Sequence, residues 1–156
     1  MDISRRRLFR GRDAGLELRP PWVLNPVSFT DDCTRCGRCV ERCPENILVV
    51  GDGGFPSVDF SWGECTFCRE CTGDCEAKLF NPDADSLPWT YTAFVAESCL
   101  AHAGVMCRSC EDSCEVRAIR FPLAAGKVPA PRIDTEACTG CGACVAPCPQ
   151  QSISLA

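Results

Sequence analysis

The sequence predicts a small α+β fold of two tandem modules, built from short helices and two-stranded hairpins. First, the sixteen cysteines of this 156-residue chain fall into four groups of four between residues 33 and 148. Second, the linkers at 47–60 and 118–134 each read as a short strand, a glycine-containing turn and a second strand. Third, no apolar run approaches the roughly 18–20 residues of a membrane-spanning helix, so no membrane span is expected.

The cysteine spacing indicates the chemistry. Residues 33–44 read C-T-R-C-G-R-C-V-E-R-C-P, the C-x2-C-x2-C-x3-C-P pattern that holds [4Fe–4S] clusters in bacterial proteins. Three thiolates at two-residue intervals wrap one cluster, and the fourth points away and can reach a second one. The pattern recurs as motifs two and four, and motif three is a looser copy. The predicted ligands are Cys33, Cys36, Cys39 and Cys43 in motif one; Cys65, Cys68, Cys71 and Cys75 in motif two; Cys99, Cys107, Cys110 and Cys114 in motif three; and Cys138, Cys141, Cys144 and Cys148 in motif four.

Disulfides and zinc are the other common uses of so many cysteines. Disulfides need an oxidising compartment and join separate segments of chain, whereas here three cysteines repeatedly share a stretch of seven residues. Structural zinc usually takes pairs of ligands from two separated segments. The spacing therefore favours iron–sulfur clusters. His102, the single histidine, is expected on the surface or in packing rather than as a ligand.

Neighbouring motifs are expected to work in pairs, because in two-cluster ferredoxins the fourth cysteine of each motif binds the other cluster. Pairing motif one with two, and motif three with four, predicts four [4Fe–4S] clusters. Their ligand sets would be Cys33, Cys36, Cys39 and Cys75; Cys65, Cys68, Cys71 and Cys43; Cys99, Cys107, Cys110 and Cys148; and Cys138, Cys141, Cys144 and Cys114. A nested pairing, of motif one with four and motif two with three, uses the same sixteen ligands and remains open.

A ferredoxin-like organisation follows from this pairing. We place a basic N-terminal arm at 1–30, the module of motifs one and two at 31–80, and the module of motifs three and four at 81–156. The apolar walls around the clusters are predicted to include Ile47, Leu48, Ile119, Phe121, Ile153 and Leu155.

The N-terminal arm carries six arginines on an otherwise acidic chain. Its S-R-R-R-L-F-R string is similar to a twin-arginine export signal, but a charged stretch broken by proline follows where such a signal needs about 7–15 apolar residues. We therefore expect either a solvated arm or an arm that docks on an acidic surface. In the second case Leu8, Phe9 and Trp22 would be its apolar anchors, because aromatic residues and arginine are favoured at binding hot spots.

Charge and motif content exclude several functions. The formal charge is −5, and four clusters at −2 each, counted with their thiolates, would bring it to about −13. Such a protein disfavours nucleic acid and favours a basic patch on a protein partner. The chain has a single histidine, no nucleotide-binding fingerprint and no nucleophile–base pair, so we expect no enzyme activity and no catalytic residues.

Several strings beyond the cysteine spacing are distinctive. They are S-R-R-R-L-F-R-G at the start, R-P-P-W at 19–22, G-G-F-P-S-V-D-F before motif two, and C-R-S-C-E-D-S-C-E after the long gap in motif three. With C-T-R-C-G-R-C and C-T-G-C-G-A-C, they make the chain resemble the NapF family of ferredoxin-type accessory proteins of periplasmic nitrate reductase systems. The resemblance implies a cytoplasmic protein that binds the precursor of the catalytic nitrate reductase subunit (NapA-like) and assists its maturation before export. The alternative is an electron-transfer ferredoxin subunit of a respiratory oxidoreductase.

Motif three generates a first prediction, because seven residues, L-A-H-A-G-V-M, separate Cys99 from Cys107. A longer loop wraps its cluster less tightly, so this cluster should be lost first in air. Iron release from anaerobically prepared protein would then show a fast phase that is missing from the Cys107→Ala variant. Equal loss from all four clusters would contradict the prediction.

Overall fold

The computed structural model describes residues 17–83, 85–123 and 125–156. The predictions made for residues 1–16, including the anchors Leu8 and Phe9, lie outside these ranges. The helices are α1 (Phe29–Asp32), α2 (Arg38–Glu41) and α3 (Ser109–Asp112), with 3₁₀ turns at Asp52–Gly54 and Glu70–Thr72. The strands are β1 (Leu48–Val50), β2 (Pro56–Val58), β3 (Ala93–Val95), β4 (Ile119–Arg120), β5 (Arg132–Ile133) and β6 (Ile153–Leu155). Within the described ranges, no helix has the length and apolar character needed to cross a membrane.

The described part of the chain contains three two-stranded antiparallel sheets. The hairpins β1–β2 and β4–β5 lie in the two linkers where the sequence predicts them, with Leu48 opposite Val58 and Ile119 opposite Ile133. The third sheet joins β3, which precedes motif three, to β6, which follows motif four. An isolated bridge between Val23 and Phe80 does the same for motifs one and two. Each module is thus a ferredoxin-type unit of opening segment, motif, hairpin, motif and closing segment.

The backbone repeats the same turn after every motif. The residue three places beyond each fourth cysteine has a positive φ, and its N–H donates to the carbonyl of that cysteine at 3.0–3.1 Å. These residues are Asn46, Lys78, Arg117 and Gln151. The turn reverses the chain into the first strand of a hairpin or into the closing segment. Local geometry therefore links each fourth cysteine to the strand that follows it.

Two apolar cores contain the cysteines. One is built around Ile47, Leu48, Val58 and Phe60 with Cys65 and Cys71, and the other around Ile119, Phe121 and Ile153 with Cys110 and Cys144. All six residues predicted as apolar walls are buried, none more than 8% exposed, and four of them, Ile47, Leu48, Phe121 and Ile153, also line a cavity that contains cysteines. Leu155, at the C-terminal end of the chain, packs in the core of the first module.

The two modules meet at the cysteine loops of motifs two and four. The N–H of Cys65 donates to the carbonyl of Cys141 at 2.8 Å, and the Trp89 indole N–H donates to the carbonyl of Thr139 at 3.2 Å. The ring of Phe60 lies where a side chain on Gly142 would project. Phe60 also makes an edge-to-face contact with Trp89 at 6.0 Å between ring centres. Such aromatic pairs contribute about 0.5–1.5 kcal/mol beyond area burial.

Residues 17–29 of the predicted arm pack against the first module. Trp22 is 5% exposed and Phe29 is 2% exposed, while the Trp22 indole N–H donates to the carbonyl of Ser86 at 3.0 Å. The interpretation of Trp22 as an anchor for a partner is therefore wrong, because its ring is already covered by its own chain. The boundary at residue 30 stays a prediction.

Gly142 provides a test of the module contact. It has a φ of +82°, and an added Cβ would meet the Phe60 ring, whereas the equivalent Gly37 of motif one has a φ of +79° and open space around it. Gly37→Ala should cost about 1–2 kcal/mol for the left-handed backbone. Gly142→Ala should cost about 1–3 kcal/mol more, because the core is overpacked. Thermal unfolding of cluster-loaded protein under argon measures both, and equal melting temperatures of the two variants would show that Phe60 does not constrain Gly142.

Candidate iron–sulfur centres

All sixteen cysteines lie in the described ranges, and all are free thiols. The disulfide alternative therefore has no support in the structure. Four cysteines, Cys65, Cys71, Cys110 and Cys144, are buried, and only Cys36 and Cys68 are exposed. The remaining ten are half-buried.

The first cavity gathers the three leading cysteines of motif two and the fourth cysteine of motif one. It is a small cavity that is partly open to solvent. Its thiols are those of Cys43, Cys65, Cys68 and Cys71, and Ile47, Leu48 and Trp22 supply apolar wall. This is the crosswise set that pairing motif one with motif two predicts.

The second cavity shows the same exchange in the other module. It is lined by Cys99, Cys107, Cys110 and Cys148, with Val95, Phe121 and Ile153 as apolar wall. Cys148 is the fourth cysteine of motif four, so the pairing of motif three with motif four is again crosswise. The nested pairing would bring Cys75, not Cys148, to motif three, so the geometry does not favour it.

Salt bridges bring Cys75 toward motif one, as the set Cys33, Cys36, Cys39 and Cys75 requires. Arg42 in motif one pairs with Asp74 at 2.6 Å, and Arg38 pairs with Glu76 at 2.8 Å. Asp74 and Glu76 flank Cys75 on both sides. The four side chains are 39–79% exposed, so these pairs add little stability, and their main effect is to position the turn.

Backbone contacts connect Cys114 with motif four. Cys114 Sγ accepts the N–H of Ala118 at 3.2 Å, and the carbonyl of Ala118 accepts the N–H of Asp134 at 2.8 Å. The carbonyl of Asp134 in turn accepts the N–H of Cys138 at 3.0 Å. This chain of hydrogen bonds runs from the fourth cysteine of motif three to the first cysteine of motif four.

Burial and close spacing make several of the cysteine thiols harder to ionise. Burial, together with the smaller effect of neighbouring cysteine charges, raises the pKa of Cys39, Cys65 and Cys110 to about 11 and the pKa of Cys71 and Cys144 to about 12. At neutral pH these thiols are therefore protonated without a metal. A bound cluster must displace those protons, and its irons supply the positive charge that four thiolates require.

Backbone N–H groups point at several of the sulfurs. Cys33 accepts from Arg35 at 3.4 Å, Cys138 from Ala93 at 3.5 Å and Cys148 from Ser152 at 3.3 Å. The backbone N–H of Arg38 lowers the pKa of the exposed Cys36. Donors of this kind favour the thiolate form and help set the potential of an iron–sulfur centre.

The donor set fits a polynuclear cluster. Each cavity presents four thiols and no competing carboxylate or imidazole except Glu45 and Glu64 at the first, and thiolates are the ligands of [4Fe–4S] clusters. In the described part of the chain, no group of three or more His, Cys, Asp or Glu side chains is arranged to hold a single metal ion. His102 is exposed and does not line the second cavity.

Comparison with known proteins gives the same result. A family described as the 4Fe–4S dicluster domain matches residues 32–79 and again residues 105–152. Over 99% of this chain and 94% of theirs, the ferredoxin-type proteins NapF of Escherichia coli (strain K12) and Haemophilus influenzae (strain ATCC 51907 / DSM 11121 / KW20 / Rd) are 40% and 42% identical to it. The chain belongs to the NapF family of ferredoxin-type proteins. The methylamine utilization ferredoxin-type protein MauM of Methylobacillus flagellatus is 31% identical over 89% of this chain and 67% of its own.

This NapF-family chain departs from the general pattern at motif three. Cys99 lies outside the second dicluster match, which begins at residue 105, yet the structure places Cys99 at the cavity with Cys107 and Cys110. The intervening loop folds back through hydrogen bonds from Val105 to Leu100 and from Ala103 to Cys99. The cysteine spacing predicts all sixteen ligands but does not single out Arg69, whose only sequence signal is that it stands where motifs one and four have glycine.

Iron counting tests the crosswise ligation. If Cys43 and Cys65 bind one cluster, Cys43→Ala, Cys65→Ala and the double variant should each lose the same iron, about four atoms per chain. The matched control, Cys33→Ala with Cys65→Ala, should lose about twice as much, because those cysteines belong to different clusters. If the Cys43→Ala, Cys65→Ala double variant instead lost the sum of the iron lost by the two single variants, the pairing would be rejected.

Proposed function

We propose that this chain is a cytoplasmic iron–sulfur accessory protein with four [4Fe–4S] clusters. It binds the precursor of the catalytic subunit of a periplasmic nitrate reductase and assists cluster assembly or redox poise before export. It is not itself an enzyme.

The observation that carries this proposal is the near full-length similarity to NapF proteins. Because the alignment covers 99% of this chain, it extends into the arginine-rich first sixteen residues as well as the cysteine motifs. A basic segment on a chain of pI about 4.9 gives the protein two surfaces of opposite sign. Opposite charge on a partner would steer association and fix its orientation.

The residues of the chain define what each centre can do. At each of the two cavities four thiols would hold a cluster and apolar walls would limit water, and backbone N–H groups would stabilise the charge of Cys114 and Cys148. A bound [4Fe–4S] cluster supplies one-electron redox chemistry, whose potential depends on hydrogen bonds to sulfur, burial and net charge. The sixteen cysteines account for every ligand that four clusters need.

One observation favours the alternative, an electron-transfer ferredoxin subunit. The cysteine loops of motifs two and four are in direct contact through the Cys65–Cys141 hydrogen bond, which suits a protein that moves charge between its modules. The similarity to MauM, a protein named for methylamine utilization, is consistent with a module that serves more than one redox system.

An anaerobic pull-down from cytosol separates the two functions. Cluster-loaded protein should recover the nitrate reductase precursor. Chelator-stripped protein should not, because without the cluster the cysteines of each site are no longer cross-linked and the fold loses that stabilisation. Recovery of general redox partners without the precursor would support the electron carrier instead.

Deletion of residues 1–16 tests the arm. This boundary keeps the packed segment at 17–29 intact, so iron content should match that of the full chain while precursor recovery falls at least tenfold. A full-length variant with Arg5, Arg6 and Arg7 changed to Gln is the control for charge alone. If both variants recovered as much precursor as the full chain does, the arm would have no docking role.

A further inference from the structure

Arg69 lies at a cluster cavity, and its side chain is not explained by cluster ligation. It follows Cys68 in motif two and lines the first cavity with Cys43, Cys65 and Cys71. Its Nη1 is the only buried side-chain nitrogen or oxygen without a hydrogen-bond partner among the described residues. A buried donor on a charged group costs free energy when left unpaired, so an acceptor is expected at this position.

The rest of the guanidinium is held firmly. Nη2 donates to the carbonyl of Asn81, and the guanidinium carbon lies 4.5 Å from the centre of the Trp22 ring. Trp22 is itself fixed by its hydrogen bond to Ser86 and by an edge contact with Phe67. These contacts fix the orientation of the fork but leave Nη1 unused.

The backbone at Arg69 adds a second observation. Its φ is +65°, a left-handed conformation that glycine adopts without steric cost. At the equivalent position, motifs one and four have Gly37 and Gly142, with φ of +79° and +82°. Motif two thus keeps a strained arginine where its two sister motifs have glycine, which indicates that the side chain has a role there.

We propose that Arg69 raises the reduction potential of the cluster that Cys43, Cys65, Cys68 and Cys71 would hold, with its unpaired Nη1 as a donor to the sulfide of that cluster rather than to a cysteine sulfur. Reduction adds one electron from a low-potential one-electron donor, forms and breaks no bond, and takes the centre with its thiolates from −2 to −3. A nearby cation stabilises the more negative state more strongly, and the effect is larger where the charge is shielded from solvent. The inference rests on the ligation of the proposed function but not on the identity of the partner.

The test compares Arg69→Met with Arg35→Met in anaerobically reconstituted protein, using redox titration followed by EPR. Arg69→Met should lower one potential by about 59 mV or more, a tenfold change for a one-electron couple, and leave the others in place. Arg69→Lys should restore part of the shift. Arg35 is the matched control: it also adjoins a ligand cysteine but is exposed, so solvent screens its charge.

Each other outcome overturns the proposal. Unchanged potentials in Arg69→Met at wild-type iron content would reject it, and so would an equal shift of all potentials. If Arg69→Met fails to load its cluster, wild-type potentials in Arg69→Lys and Arg69→Gln would leave only a structural role. The Cys65→Ala variant identifies the EPR signal of this cluster, because that signal should be missing from the variant and present in the wild-type protein.

If the Cys65→Ala variant keeps every signal of the wild-type protein, the proposed ligation itself is wrong, whatever the role of Arg69.

Discussion

The structure depends on holding many cysteine thiols close together in an apolar setting. Desolvation raises the pKa of the five thiols with large shifts, and neighbouring sulfurs raise it further, so four thiolates in one cavity repel each other unless positive charge lies between them. Both apolar cores are built around these sulfurs, and the sheets are only two strands wide. A chain with so little regular structure gains much of its stability from the cross-links that bound clusters supply.

The fold meets this constraint by repeating one local design and varying it at one position. Every motif ends in the same left-handed turn three residues after its fourth cysteine. The position after the second cysteine of motifs one, two and four has a positive φ in each case. Gly37 leaves open space there, Gly142 admits the Phe60 ring of the other module, and Arg69 places a charge beside a cavity. The same backbone conformation thus occurs in a simple turn, at a module contact and under a charged side chain that lines a cavity.

The N-terminal segment shows how composition can mislead. Its arginines and the R-P-P-W string predict a continuous arm, but Trp22 packs under Arg69 and its indole N–H donates to the carbonyl of Ser86 in the segment after motif two. The sequence does not distinguish a tryptophan that binds a partner from one that packs within its own module, because both roles bury the same apolar ring. The binding role proposed for the arm is therefore confined to residues 1–16.

The sequence by itself determined the chemistry: cysteine spacing is a local property, and three thiols within seven residues can hold a cluster corner without reference to the rest of the chain. It also predicted both hairpins, since strand and turn residues alternate within each linker. Only the tertiary structure decided which fourth cysteine serves which cavity, that β3 pairs with β6 rather than within its own linker, and that Arg69 and Phe60 lie at cluster loops. Those are contacts between residues far apart in sequence, and no local pattern specifies them until the modules pack.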